Sequence, residues 1–368
     1  ERTQLEAVSN PVDVRSVPAE RSLFWGDLHS HTRYSHDGVG DNSFFYARHI
    51  SGLDFYAAAD HSIAPNGDLL RGLSEAYWEE YVARTEKYDD PPRFVTIHAY
   101  EASFGRPYGH HNVYFRDQPG PLIAPSKVTL EELWKLLKAG DAVTIPHHTG
   151  KFPGGVDFNV HDPVFRRNFE IYSGHGLSEY YNPAHPLSFE HSKFTSDAMS
   201  LRSPTFAQDT WKQGLVLSTI ASSDDHRSQP GQPHYGLAAI RAPKLTRDDI
   251  FQALHDRHTY GTSGAKIILE FDVNGTPMGQ TVALEKPPKI HVRACGTDTI
   301  EWIELLRWYP GREKFEVVKT WWPNMLDFED EYRDDSFQKG AIYYVRLQQQ
   351  KKVRGLAAMA WSSPVWTN

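Results

Sequence analysis

His29 and His31 stand in the run Trp25-Gly-Asp-Leu-His-Ser-His-Thr32. The stretch Ser22–Trp25 before them is apolar and aromatic and reads as a buried strand. Side chains at i and i+2 of a strand share a face, so two imidazoles leave one strand end side by side. That geometry chelates a metal ion when further ligands arrive from neighbouring strands.

The same residue types recur at the ends of the other apolar runs: His36 and Asp37, Asp60-His61, Glu101, Gly109-His110-His111-Asn112, His147-His148, His175, and Ser223-Asp224-Asp225-His226. Burying so many ionisable groups is costly without a cation to pair them. Imidazole and carboxylate without thiolate suit Zn, Mn or Fe rather than Ca, which prefers oxygen shells. The candidates exceed one tetrahedral shell, so two or three divalent ions are expected, with Glu101 or Asp224 able to bridge a pair. Asp27, two residues before His29, reads as a support accepting a ligand N–H. His175 is a ligand, a support or a general acid. His148 is a candidate for substrate contact, and Arg33 and Arg106 could clamp a phosphate. Trp25, Phe44, Phe45, Tyr100, Phe104 and Tyr108 suit an apolar leaving group or the core.

Elements must bring these groups together. Strand candidates are 23–28, 53–58, 93–99, 142–145, 169–172, 216–221 and 237–240, with helical patterns between them. Thr129 and Glu132 form a capping box, followed by Leu130, Leu133, Trp134 and Leu137 at helical spacing. A similar pattern covers 246–255. Alternating strands and helices predict a parallel sheet closed as a (β/α) barrel, whose site lies at the C-terminal strand ends. After Gly264 strands follow one another without helices, and Asn274-Gly275 signals a hairpin. The expected organisation is an N-terminal arm at 1–21, a barrel carrying the histidine cluster at 22–264 and a β-sandwich at 265–368. The Trp321-Trp322 pair, in a loop-like stretch to Phe337, is a candidate lid or pocket wall.

Composition limits the alternatives. The 368 residues are 39% hydrophobic and 23% charged, an ordinary globular balance. The net charge of −8 and the absence of a dense Lys/Arg run argue against nucleic acid. No run approaches the length of a membrane helix, so a soluble cytoplasmic or periplasmic protein is expected. Cys295 is the single cysteine, which excludes intrachain disulfides and Cys-rich zinc sites. A start at Glu1 rather than Met predicts a removed leader or a trimmed terminus. Of 19 histidines, 15 lie at or before His226, so the histidine chemistry belongs to the first two-thirds of the chain. Oligomeric state is not readable.

The order His-x-His, Ala-Asp-His, strand-end Glu, strand-end His and Ser-Asp-x-His resembles the PHP family, named for its polymerase and histidinol-phosphatase members, over roughly residues 22–264. The resemblance implies a distorted barrel of about seven strands holding two or three metal ions. It would place one ion on His29, His31, Glu101 and Asp224. A second would sit on His61 and His226 with His36 or Asp37, and a third on Glu101, His110 and His147. The motif Ser35-His36-Asp37-Gly38 departs from the usual Ser-Asp-Gly, and doubled histidines at 110/111 and 147/148 leave those choices open. Gly109–Asn112, Tyr172–His175 and the segment 260–279 look most like a branch that includes carbamate (carbaryl) hydrolases.

The expected activity is metal-dependent hydrolysis of a small-molecule ester, most of all a phosphoester. A metal-bridged hydroxide would attack, the ions would stabilise the oxyanion, and His175 and Asp224 are the candidate catalytic residues. Alternatives are a carbamate or carboxylic ester hydrolase on the same site, and a non-catalytic, metal-stabilised binding module.

Overall fold

The aromatic run ahead of Asp27 forms the strand Ser22–Asp27, whose inner half is buried. It pairs antiparallel with Leu237–Ala242 and parallel with Phe55–Tyr56, which pairs parallel with Val95–Thr96. The computed structural model of the chain describes residues 10–12, 19–62, 72–152, 154–192, 199–202, 204–353 and 355–368. Most of the expected N-terminal arm lies outside these residues.

Two smaller sheets flank this arrangement. Ala99–Ser103, His110–Phe115 and Ala142–His147 form an antiparallel trio. Asn168–Ser173 pairs parallel with Ser218–Ala221. The helices Leu130–Leu136, opened by the Thr129/Glu132 capping box, and Arg247–His255, capped by Thr246, form where their periodicity predicts. Glu75–Tyr88 is the longest helix among the described residues. No described helix is long and apolar enough to cross a membrane.

The expected closed (β/α) barrel does not form. The chain is mostly strands in large mixed sheets, helices are few, and the ladders do not close into a ring. The reason lies in the connections. Parallel neighbours need a crossover of about a dozen residues or more, whereas Ser103 and His110 are joined by a short turn and pair antiparallel. Apolar strands with polar ends read the same in either direction.

The tail's strands join the same ladder as those before it. Leu356–Ser362 pairs with Thr259–Thr262 and with Ile342–Val353, which pairs in turn with Lys289–Trp308. A single 14-stranded sheet therefore runs through position 264. The hairpin at Asn274-Gly275 is present, with both residues at positive φ (50° and 79°). The stretch after Trp322, expected as loop, holds the strand Met325–Arg333. Trp321 is buried and donates to Asp330 at 2.7 Å, while Trp322 is exposed.

Candidate metal centre

The chain segments beyond the strands stay in register, and this brings the histidines together. Ser30 bridges Asp225 and His61 bridges Glu101, each in a single parallel bridge. His31 N donates to Asp225 O at 2.6 Å, Asp224 N to His29 O at 2.7 Å, and Glu101 N to Asp60 O at 2.9 Å. In the antiparallel trio, His110 lies opposite both Ser103 and His147, and Glu101 opposite Asn112. Asp224 and His148 adopt positive φ (54° and 32°), a conformation that clusters at functional sites.

Four groups meet at the centre. His29 Nε2 lies 3.4 Å from Glu101 Oε2 and 3.4 Å from Asp224 Oδ1. His31 Nε2 lies 3.4 Å and 3.2 Å from the same two oxygens. With metal–ligand bonds of about 2.0–2.2 Å, the edges of a tetrahedral shell measure roughly 3.3–3.6 Å. The four separations thus match ligand–ligand edges better than ordinary hydrogen bonds. All four side chains are buried, at 2% exposure or less.

A second cluster adjoins it. Asp37 Oδ2 lies 3.2 Å from both His61 Nε2 and His226 Nε2. His36 Nε2 stands 3.8 Å from that oxygen, so Asp37 is the residue that meets both rings. On the other side, Glu101 Oε1 faces His110 Nδ1 at 2.6 Å, His61 Nδ1 at 3.3 Å and His147 Nε2 at 3.4 Å. The two oxygens of Glu101 therefore face different sets of histidines, the disposition of a bridging carboxylate. Among the described residues, five triads of His, Asp and Glu present ligand atoms within 4.8 Å of one another, drawn from His29, His31, Asp37, His61, Glu101, His110, His147, His148, Asp224 and His226.

The electrostatics fit a cation. Burial opposes ionisation of Glu101, yet His61, His147 and His110 hold it well below the usual carboxylate range. Burial likewise opposes ionisation of Asp224, and His29, His175 and His31 hold it well below. Burial drives His147 down to about 3, with His29 adding to the effect. Among the described residues, buried His147 Nδ1 has no hydrogen-bond partner. Buried, unsatisfied donors and acceptors of this kind call for an ion or water. At His147 a neutral imidazole thus stands beside an ionised carboxylate, the protonation state that a divalent cation requires, whereas the neighbouring carboxylates hold His29, His61 and His226 above the ordinary imidazole value against their burial.

Supporting groups include several that composition and spacing did not single out. Glu170 Oε2 lies 3.2 Å from His29 Nδ1 and fixes which ring nitrogen faces the centre. Burial raises its carboxyl to about 7, opposed by His29. A lone carboxylate inside the apolar run 169–172 was the available signal. Asp27 accepts main-chain N–H groups of His29 (3.2 Å), Ser223 (2.9 Å) and Gly231 (3.0 Å). It anchors backbone rather than an imidazole, and burial lifts it to about 6 against those hydrogen bonds. Ser35 Oγ lies 2.9 Å from His31 Nδ1 and accepts from His61 N at 2.9 Å.

The centre opens into a cleft of about 620 Å3 lined by His31, His61, His110, His148, Lys151, His175, Arg227 and Tyr235, among others. His175 Nε2 lies 3.3 Å from Asp224 Oδ2, and Lys151 Nζ 3.0 Å from His175 Nδ1. His111 turns away to Arg166, whose Nη2 lies 2.8 Å from its Nε2. The two arginines expected to clamp a phosphate are elsewhere. Arg33 pairs with Glu80 at 2.7 Å, and Arg106 donates to Gly154 O at 2.7 Å beside a different cavity. The cleft's cationic side chains are instead Lys151 and Arg227. The aromatics Trp25, Phe44, Tyr100 and Phe104 are core, and Tyr108 packs on that core.

A chain of mixed sheets carrying a buried histidine–carboxylate cage at its strand ends is the class of protein that this geometry defines. Residues 54–163 and 190–295 match the model of a family described as "Protein of unknown function (DUF3604)", and the chain belongs to that family. It is 26% identical to an uncharacterized protein of Chlamydia pneumoniae, over 100% of this chain and 60% of that one. It is also 26% identical to an uncharacterized protein of Chlamydia trachomatis, over 94% of this chain and 57% of the relative. The chain thus spans about 60% of the length of these relatives. A solved two-domain protein of Bacteroides vulgatus, described as containing a predicted PHP-like metal-dependent phosphoesterase, aligns over 95% of both chains at 14% identity and a TM-score of 0.46.

Proposed function

We propose that the chain is a metal-dependent hydrolase of phosphoesters. The observation that carries this reading is the set of four 3.2–3.4 Å separations joining His29, His31, Glu101 and Asp224. These residues would hold one divalent ion. Asp37, His61 and His226 would hold a second, and Glu101, His110 and His147 offer a third place. Bound cations would supply Lewis acidity and a water of lowered pKa.

The chain's own residues support an anionic substrate. Lys151 and Arg227 give the mouth of the cleft positive charge, which favours an anionic ester. A neutral carbamate or carboxylic ester has no use for that pair. Lys151's ammonium can only donate, so His175 Nδ1 accepts and its proton sits on Nε2, beside Asp224. That proton is placed for a leaving oxygen: water's oxygen bonds to phosphorus, the P–O bond to the leaving group breaks, His175 Nε2 passes its proton to the departing oxygen while Lys151 Nζ passes one to Nδ1, and the proton shed by the attacking water restores Lys151.

Elemental analysis of the purified chain should find at least two divalent ions, and p-nitrophenyl phosphoesters should be turned over only while they are bound. Asp224→Asn should lower both the metal content and the rate. A folded chain that takes up no divalent ion defeats the reading, and turnover of aryl carbamates or acetates but not phosphoesters reassigns the substrate.

A further inference from the structure

A second cavity lies against the metal cleft and has no part in the chemistry described above. It is lined by Tyr172, Leu187, Pro233, Tyr235 and Leu356 among others, and has a volume of about 160 Å3. Tyr235 lines both spaces. The turn after Ser173 divides them: Gly174 and Gly176 face the cavity, while His175 faces the cleft. Gly176 sits at φ 141°, and a Cβ there would come within 2.8 Å of the Phe189 ring. The chain is thus kept thin where the two spaces meet.

The far wall comes from the β-rich tail. Gly355 and Leu356 belong to the hairpin between Ile342–Val353 and Leu356–Ser362. The tail strand thereby reaches the cavity that adjoins the metal cleft. The walls carry Tyr, Leu and Pro side chains, with Ser188, Ser192, His191 and His234 among them, and no Lys, Arg, Asp or Glu. An apolar cavity of about 150 Å3 takes one benzene ring, so this one is of single-ring size.

We propose that this cavity receives an uncharged, ring-sized apolar group of the substrate, with Leu356 and Tyr235 setting specificity. The inference rests on the hydrolase reading of the neighbouring cleft and deepens it: the substrate is an anionic ester whose charged end faces Lys151 and Arg227. Its apolar end turns across Tyr235 towards the tail hairpin.

The test has two independent readouts. Fluorine NMR titration of 4-fluorophenol onto the full chain follows ring binding without any turnover. The wild-type chain should bind it, and Leu356→Trp, which fills the cavity, should weaken binding by at least about tenfold. His191→Trp, at an exposed position on the cavity rim, should act in the same direction and guards against a folding defect in the first variant. In parallel, KM for phenyl phosphate should rise by a similar factor in both variants, with methyl phosphate unaffected. Absence of 4-fluorophenol binding, or binding unchanged in both variants, overturns the proposal. Ring binding lost in the variants while no phosphoester is turned over would leave the cavity assignment standing and remove the hydrolase reading instead.

Discussion

The most informative single residue outside the cage is Glu170. It touches no other carboxylate partner of the centre, yet its Oε2 stands 3.2 Å from His29 Nδ1. Burial pushes that imidazole towards neutrality, and Asp224 and Glu170 more than offset it, so His29 is held well above its ordinary value. A carboxylate behind a liganding imidazole raises the ring's basicity and fixes its tautomer. Glu170→Gln preserves the shape and removes the charge. Chelator competition should show metal affinity reduced by about 10–100-fold, with thermal stability of the metal-free chain little changed. Unaltered affinity would make Glu170 a packing residue. At this scale the sequence was legible where residue type alone carries chemistry, as in His29, His31, Glu101 and Asp224. It was less legible where the role depends on direction. Lys151 and Arg227 line the cleft although Arg33 and Arg106 looked the better anion clamps, because only the fold decides which long side chains point inward.

At the scale of elements, the strand ends deliver ligands because the backbones stay paired a few residues beyond the ladders. One close approach is between Ser218–Ala221 and Thr259–Thr262. A Cβ on Gly261 would lie 2.8 Å from Ala221 N and from Ile220 C. Both are backbone atoms, so relief requires the strands to move apart. Gly261→Ala should therefore cost about 1–3 kcal/mol in urea unfolding. It should also lower metal occupancy, because Asp224 follows Ala221 by only three positions. Stability lost with occupancy intact would show that the ligand loop is positioned independently of this strand. The elements themselves were partly legible. Capping residues marked the helices at 130–136 and 247–255, and Asn274-Gly275 marked a hairpin. Strand direction was not, since alternation of apolar residues is the same for parallel and antiparallel neighbours, and the barrel expectation failed on that point.

At the scale of the molecule, the question is whether the tail folds separately from the site-bearing part. Three contacts argue for one unit. Thr259–Thr262 has the tail strand Leu356–Ser362 on one side and Leu237–Ala242 on the other. Thr219 N donates to Ser363 Oγ at 2.8 Å and Thr219 Oγ1 to Ser362 O at 2.8 Å. The fully buried carboxylate of Glu179 accepts from Tyr344 (2.6 Å), Arg346 (2.8 Å) and Trp361 (3.0 Å), all in the tail. Removing the tail would strip Glu179 of these donors and expose Tyr172 and Trp211, which share a core with Tyr344 and Trp361; each large side chain so uncovered costs about 1.5–3 kcal/mol against a typical domain's 5–15 kcal/mol. Residues 1–264 alone should then fail to fold. In the whole chain, urea unfolding followed by tryptophan fluorescence should coincide with unfolding followed by circular dichroism. Tryptophans report from both parts, with Trp78, Trp134 and Trp211 before position 264 and Trp308 and Trp361 after it. Two separated transitions, or a folded 1–264 fragment that still binds divalent ions, would show that the shared sheet joins two independent units and that the site does not need the tail to form.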